Sequence, residues 1–388
     1  MRIMVIYSWG RNAFLGVHVS RALRCLGHEV VERSSSHIQD IPGGYDLYLR
    51  VDDGRWSDPL PDYARPSAFW GVYLNVYPDR ALKIASAYDR VYLAQLQFVQ
   101  WYKERGVSAI WLPLAADPVV HREVEGRHQE YDVVFVGDPG RGGSRVESVW
   151  RTKRQTWLYE VSQAFPRSYL GHVAEGETIA SVYSSGTVGL NEHSLGEVNM
   201  RDFEIPACGR PAVGDFSLDN GMDRLMLVGG ECILANTVGE AIASIQLLLS
   251  DRNLARQIGA RARLRVLKDH TYLERAVFIL EDMFGVIDRD EIRKVVVSTD
   301  SYWRGCDIHP DVLLSADIQE LPGYYGDLET SPTKDCAVCR KEGGEVRKGK
   351  LVKGYKWHPP SKSYRLYRGY VCREHLTEHF STYQYLRK

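Results

Sequence analysis

The sequence predicts an α/β chain: two open, parallel-sheet domains in tandem and a small C-terminal module of different chemistry. Three observations carry that expectation. A β-branched run at the N-terminus leads into an apolar pattern of helical period and then into a second apolar run. The same alternation restarts after residue 130, and residues 334–388 are rich in basic residues and in paired Cys and His. At 388 residues the chain also exceeds what one ordinary core holds.

The first domain, residues 1–122, opens with the strand Arg2–Ser8 and the polar loop Trp9-Gly10-Arg11-Asn12. Leu15, Val19, Leu23 and Leu26 then recur at helical spacing until Gly27-His28 stops the helix, and Glu29-Val30-Val31 opens the next strand. Further strands are expected at Tyr45–Val51, Ala68–Leu74, Val91–Ala94 and Ala109–Leu114, with a helix at Gln95–Arg105. Strands alternating with helices imply a parallel sheet covered on both faces.

The second domain, residues 123–287, follows a charged linker, His121 to Glu130, and starts at Tyr131–Gly137. Helices are expected near Val146–Ala164, Met200–Cys208, Val238–Leu249, Leu254–Asp269 and Tyr272–Phe284, the last of them able to return to the first domain. Strands are expected at Ser168–Gly171, Val188–Asn191, Ala212–Phe216 and Cys232–Ala235. Residues 288–332, which include the strand-like Lys294–Ser298, form a linker with no functional reading, and 333–388 form the basic module.

Composition excludes several classes. A hydrophobic fraction of 44% and a charged fraction of 26% are those of a folding chain, not a disordered one. The N-terminus lacks the pattern of a signal peptide, and no apolar run has the roughly 18 residues of a membrane span, so a cytoplasmic protein is expected. Seven cysteines, an odd number scattered along the chain, do not make a secreted disulfide framework.

In open parallel sheets ligands sit beyond the carboxyl ends of the strands, where loops enter helix N-termini. Gly10, Arg11 and Asn12 lie at such an end in the first domain, and the glycine-rich loop from Gly137 to Gly143 lies at one in the second. That loop matches neither the dinucleotide fingerprint nor the phosphate loop of nucleotidases, and an ordinary βα turn explains it equally well. More informative is Val188 to Asp219, where a strand ending at Asn191 leads to Asn199-Met200-Arg201, with Glu204 three residues on. An arginine there can clamp a diphosphate, and a carboxylate can accept both ribose hydroxyls. The plainer alternative is a solvent-exposed helix ion pair.

The run Asn199-Met200-Arg201-x-Phe203-Glu204-x-x-Ala207-Cys208-Gly209, together with Trp111–Pro118, Tyr131–Gly137, Val238–Leu249 and Ala262–Tyr272, resembles the CgeB-like, spore-maturation-type glycosyltransferases. The resemblance covers about residues 1–285. It implies a GT-B fold of two Rossmann-like domains facing a cleft, a nucleoside-diphosphate-sugar donor as co-substrate, and no obligatory catalytic metal. By the same resemblance Arg201 meets the diphosphate and Glu204 the ribose. Glu197 stands seven residues before Glu204 rather than the eight of the best-known retaining relatives, so the stereochemical outcome stays open. Asp52, Asp53 and Asp79 follow first-domain strands and His18 lies in the first helix; all four are candidate catalytic residues, and none has a motif that marks it as general base. For His18 a structural role is the stronger of the two readings.

In the tail, Cys336-x2-Cys339 and Cys372-x2-His375 give two ligand pairs of the kind a tetrahedral structural zinc site needs. With a hairpin through Tyr355–Tyr370 between them and a helix start at His375–Phe380, the arrangement resembles a treble-clef finger. Alternative ligands are His358, His379 and the half-site Cys306-x2-His309. The tail carries 14 Lys and Arg against 5 Asp and Glu, leaving 35 against 45 for the rest. Basic residues interleaved with Tyr355, Trp357, Tyr364, Tyr367 and Tyr370 fit a nucleic-acid surface, and fit equally a hairpin docked on the acidic body or a protein partner.

The functional expectation is therefore sugar transfer from a nucleotide donor to a hydroxyl acceptor, either a hydroxylated base in DNA or a protein or cell-surface glycan. The alternatives are a non-catalytic scaffold of the same fold and a different two-domain α/β enzyme such as an epimerase.

Overall fold

The computed structural model describes residues 1–9, 14–51, 58–72, 74, 78–139, 148–193, 196–217 and 219–285, together with the backbone of strands at 333–335, 348–358, 363–371 and 380–385. The first sheet is built from β1 (Arg2–Tyr7), β2 (Glu29–Ser34), β3 (Leu47–Val51), β4 (Ser67–Gly71), β5 (Arg90–Leu93) and β6 (Ala109–Trp111). Its order is β2-β1-β3-β4-β5-β6, and every adjacent pair is parallel. Helices α1 (Phe14–Cys25), α2 (Pro78–Ala85) and α3 (Leu96–Lys103) are its crossovers. The continuous apolar run Ile3–Ile6 follows from this order, since a central strand is covered on both faces and all four residues are fully buried.

The second sheet contains β7 (Tyr131–Val136), β8 (Ser168–Gly171), β9 (Gly186–Asn191), β10 (Ala212–Asp215) and β11 (Cys232–Ala235), in the parallel order β11-β10-β9-β7-β8. Its helices are α4 (Ser148–Ala164), α5 (Ile179–Ser184), α6 (Arg201–Ala207), α7 (Met222–Leu225), α8 (Val238–Ser250), α9 (Arg252–Asp269) and α10 (Tyr272–Phe284). The chain leaves β7 toward β8 on one side and returns to β9 on the other, so a topological switch point opens between the carboxyl ends of β7 and β9.

Local chemistry sets the helix ends. Thr237, Asp251 and Thr271 cap α8, α9 and α10 by accepting from the backbone N–H three residues on. At the end of α6, Gly209 takes the left-handed conformation (φ 74°), and the amides of Gly209 and Arg210 return to Pro206 and Ile205.

The two sheets share a core. The apolar cluster of the first domain continues through Phe203, Ala207, Met222, Leu225, Val266 and Tyr272, and α10 crosses to lie against α1. Asp282 on α10 takes two 2.5 Å bonds from Arg90 and one of 2.8 Å from the Tyr92 hydroxyl. Buried Arg275 donates to the carbonyls of Pro113 (2.8 Å), Leu114 (3.0 Å) and Asp269 (3.0 Å), tying the segment after β6 to the α9–α10 turn. Beside it, His270 donates from Nε2 to the Leu225 carbonyl and accepts Arg275 at Nδ1. Burial, then the Arg275 charge, hold its pKa well below that of an ordinary histidine.

The expected strands of both domains form, some with shorter ends: the run Ala109–Leu114 pairs only as far as Trp111, just ahead of Pro113. Helices α2, α5 and α7 were not expected; each is eight residues or fewer. In the tail, β13 (Lys348–His358) and β14 (Ser363–Val371) form the expected hairpin. They belong to a four-stranded antiparallel sheet, in which β12 (Thr333–Asp335) and β15 (Phe380–Tyr385) also pair with β13. Cys336, Cys339, Cys372, His375 and the strand-like run Lys294–Ser298 lie outside the described residues. Among the described residues no helix is long and apolar enough to cross a membrane, and no group of His, Cys, Asp and Glu is arranged to hold a metal.

The packing of α6 against α9 gives a direct test. A Cβ on Gly259 would stand 2.5 Å from the Gly209 carbonyl oxygen, which is backbone and cannot swing away. Gly259→Ala should lower stability by about 1–3 kcal/mol. Urea unfolding of wild type and variant measures it, and an unchanged midpoint would mean that α6 and α9 are not in this register.

Candidate functional site

The switch point is floored by Phe135 on β7 and Asn191 on β9. Arg201, at the start of α6, lies back across both: its Nε donates to Asn191 Oδ1 (2.8 Å), an Nη donates to the Glu192 carbonyl (3.3 Å), and its guanidinium stands 5.0 Å from the Phe135 ring centre. Gly137 permits this approach. Its φ is 151°, and a Cβ there would come within 2.9 Å of Arg201 Nη1.

A second arginine shares the floor. Arg154 of α4 pairs with Glu192 Oε2 (2.8 Å), donates to the Glu192 carbonyl and the Asp138 carbonyl (both 3.2 Å), and stands 5.6 Å from the same Phe135 ring. Burial, then the neighbouring Arg201 charge, lower its pKa from that of an ordinary arginine. Two guanidiniums thus converge on the Glu192 carbonyl at the carboxyl edge of the sheet.

Beneath them lies a buried charged strut. His193 is fully buried between Asp215 (Nδ1 to Oδ1, 2.7 Å) and Asp202 (Nε2 to Oδ1, 3.0 Å), and Asp215 also pairs with Lys153. Burial opposes the imidazolium, but the two carboxylates outweigh it and raise the His193 pKa well above the usual value. Burial likewise opposes the Asp215 carboxylate, yet His193 and Lys153 bring its pKa down to about 2. Asp202 additionally accepts from Asn191 Nδ2 (2.8 Å) and the Asn199 amide (2.9 Å). Asn199 in turn accepts the Arg201 amide at Oδ1 and donates to Asn191, which fixes the entry into α6. The carboxylates here are engaged by Lys153, Arg154 and His193. Arg201 bonds to neutral oxygens only.

Glu204, one turn along α6, takes a different partner. It is 6% exposed, and Oε1 is 3.3 Å from His121 Nε2, so the exposed helix ion pair with Arg201 does not form. Burial raises its pKa, but His121, Arg201 and His18 together make the net shift downward. His121 is linked to Asp117, which pairs with His18 (2.7 Å) and Arg21.

Gly137, Asn199, Arg201 and Glu204 are therefore assembled on one rim, and His18 reaches Glu204 through Asp117 and His121. His18 is buried and stacked on Tyr272, and burial, opposed by Asp117, lowers its pKa. Asp79 stands exposed in the first turn of α2, in the other domain. Gly10, Arg11, Asn12, Asp52 and Asp53 lie outside the described residues. Sequence reasoning missed Lys153, Arg154, His193 and His121; the only signal available was the basic doublet Lys153-Arg154 inside an expected helix.

Residues 120–281 match a family model described as glycosyl transferase-like, which takes in the whole second sheet. The chain is a glycosyltransferase by the class of that domain. In structure it is similar to a sucrose-phosphate synthase from Thermosynechococcus elongatus, with a TM-score of 0.48 and 14% identity over 72% of this chain and 97% of that one. It is similar also to HepE from Anabaena, solved in complex with UDP-glucose (TM-score 0.49, 13% identity, 74% and 100% covered). A third is a glycosyltransferase from Rickettsia africae (TM-score 0.45, 9% identity, 74% and 99% covered). No curated protein matches the chain.

The strut has a pH signature. The raised histidine contributes fully below its unfolded pKa of about 6.5 and loses its contribution as pH rises through the folded value. The depressed Asp215 contributes fully above its ordinary 3.8 and loses it as pH falls toward about 2. The thermal stability lost on His193→Gln should therefore be largest between about pH 4 and 6.5 and shrink on either side. A loss that is constant from pH 4 to 9 would contradict the strut.

Proposed function

We propose that the chain transfers a glycosyl group from a nucleoside-diphosphate sugar to a hydroxyl acceptor. The diphosphate lies over Gly137 against Arg201 and Arg154, and the ribose hydroxyls meet Glu204. The observation that carries this reading is the guanidinium of Arg201, which sits over a glycine at the switch point without a carboxylate partner among the described residues. Such a group gains most from an anion brought to it, and on departure of the nucleotide it stabilises the charge growing on the leaving diphosphate. In the GT-B arrangement of the CgeB-like enzymes the acceptor enters from the first domain, where Asp52 and Asp53 directly follow β3.

Arg201→Gln should weaken binding of the preferred nucleoside diphosphate by roughly tenfold to a hundredfold, the loss expected for a charged hydrogen bond. Gly137→Ala, which pushes the guanidinium off its seat, should weaken it in the same direction while leaving Arg201 in place. Calorimetric titration compares the three proteins. Undiminished affinity in both variants would remove the diphosphate from this site.

For the acceptor, one observation favours nucleic acid. Across the tail hairpin Lys353 stands directly opposite Arg368 and Lys356 opposite Arg365. Like charges in register destabilise a sheet unless an anion lies between them. With zinc held by Cys336, Cys339, Cys372 and His375, the tail would present this hairpin to a phosphate backbone and deliver a hydroxylated base to the site. Gel shifts of the full chain and of a chain ending at Thr330 should show binding to duplex DNA that is lost on truncation and falls steeply with salt. No tail-dependent binding at low salt would leave a protein or glycan as the acceptor.

A further inference from the structure

Glu204 lies at the seam between the domains, and its carboxylate is reached from the first domain rather than from its own sheet. The Asp117 amide donates to His121 Nδ1 (3.0 Å), so that nitrogen must offer its lone pair and the ring proton sits on Nε2, which faces Glu204 Oε1 at 3.3 Å. Asp117 is itself fixed: its Oδ1 accepts the Val119 amide (3.0 Å) and its Oδ2 accepts His18 Nδ1 (2.7 Å) and Arg21, both on α1. His18 is locked in turn by stacking on Tyr272, with ring centres 5.0 Å apart and planes 18° from parallel. All members but Arg21 are nearly or fully buried. Among the described residues His121 is the one side chain paired with the Glu204 carboxylate.

A carboxylate that must accept two neighbouring hydroxyls needs its plane fixed before the ligand arrives, because a freely rotating carboxylate loses that orientation entropy on binding. Nothing on α6 supplies the restraint. We infer that His121 is a positioning residue for ribose recognition: held in one tautomer by the Asp117 amide and braced by His18 from the first domain, it orients Glu204 toward the ribose hydroxyls of the donor. The inference rests on the assignment of Glu204 to the ribose.

The relay makes a prediction that a merely structural histidine does not. It concerns the ratio of affinities for two ligands that differ by one hydroxyl, not the affinity for either. The probes are the ribonucleoside diphosphate that wild type binds most tightly among UDP, GDP and ADP, and its 2′-deoxy counterpart, each titrated by calorimetry. Wild type should prefer the ribonucleotide by roughly tenfold or more, and Glu204→Gln should lose most of that preference. His121→Phe, which keeps the ring and removes the donor, should lose it as well while binding the 2′-deoxy nucleotide as wild type does. His121→Gln, which restores an N–H near the place of Nε2, should regain it.

If wild type or Glu204→Gln fails this pattern, the ribose assignment falls and the relay with it. If both behave as stated but His121→Phe keeps the full preference, the relay is wrong and the assignment of Glu204 stands. Should His121→Phe not fold, His121→Gln and His121→Asn replace it, since both are amides and only the longer one reaches Glu204. Equal ratios in those two would equally overturn the inference.

Discussion

Arg201 lies across Gly137 because everything around it is already paired, and the rest of the site depends on that arrangement. Glu192 is taken by Arg154, and Asp202 and Asp215 by His193, so the switch-point floor keeps one guanidinium bonded to neutral oxygens. The strut below supplies rigidity. Within it His193, Asp202 and Asp215 are desolvated, and each has a partner that makes burial tolerable only in this geometry. Removing one partner leaves another buried and unpaired, which is why the network fixes the start of α6 so closely.

The second constraint is the seam. Arg275 holds the segment after β6 by two carbonyls and the end of α9 by a third, α10 is anchored on the first sheet through Asp282, and the two domains share one apolar cluster. The Glu204 rim therefore belongs to both domains at once. Arg201 is oriented from β9 and Gly137, whereas Glu204 is met from the linker and α1. The two residues are three apart on one helix, yet each answers to a different side of the molecule.

Much of this was legible in the sequence. The parallel sheets follow from uninterrupted apolar runs such as Ile3–Ile6 and Val133–Val136, separated by helical periodicity, and the end of α6 follows from Gly209. Gly137, Asn199, Arg201 and Glu204 could be named because a loop and a helix start carry them together. Lys153, Arg154 and His193 could not, since their roles exist only once β7, β9 and β10 lie side by side. In the sequence His121 stands at the start of a charged linker, and its burial is created by α1 and α6, both remote in sequence. The short helices α2, α5 and α7 escaped because one or two turns give too little periodicity to detect.

Binding of a diphosphate at the switch point is tested most directly by ligand-induced thermal stabilisation. The chain would be heated alone and with each of UDP, GDP and ADP, then with the matching monophosphates and nucleosides. A site built around Arg201 and Arg154 predicts that one diphosphate raises the melting temperature clearly more than its own monophosphate, and that the nucleoside does least. Equal shifts from nucleoside and diphosphate, or no shift from any diphosphate at saturating concentration, would contradict it.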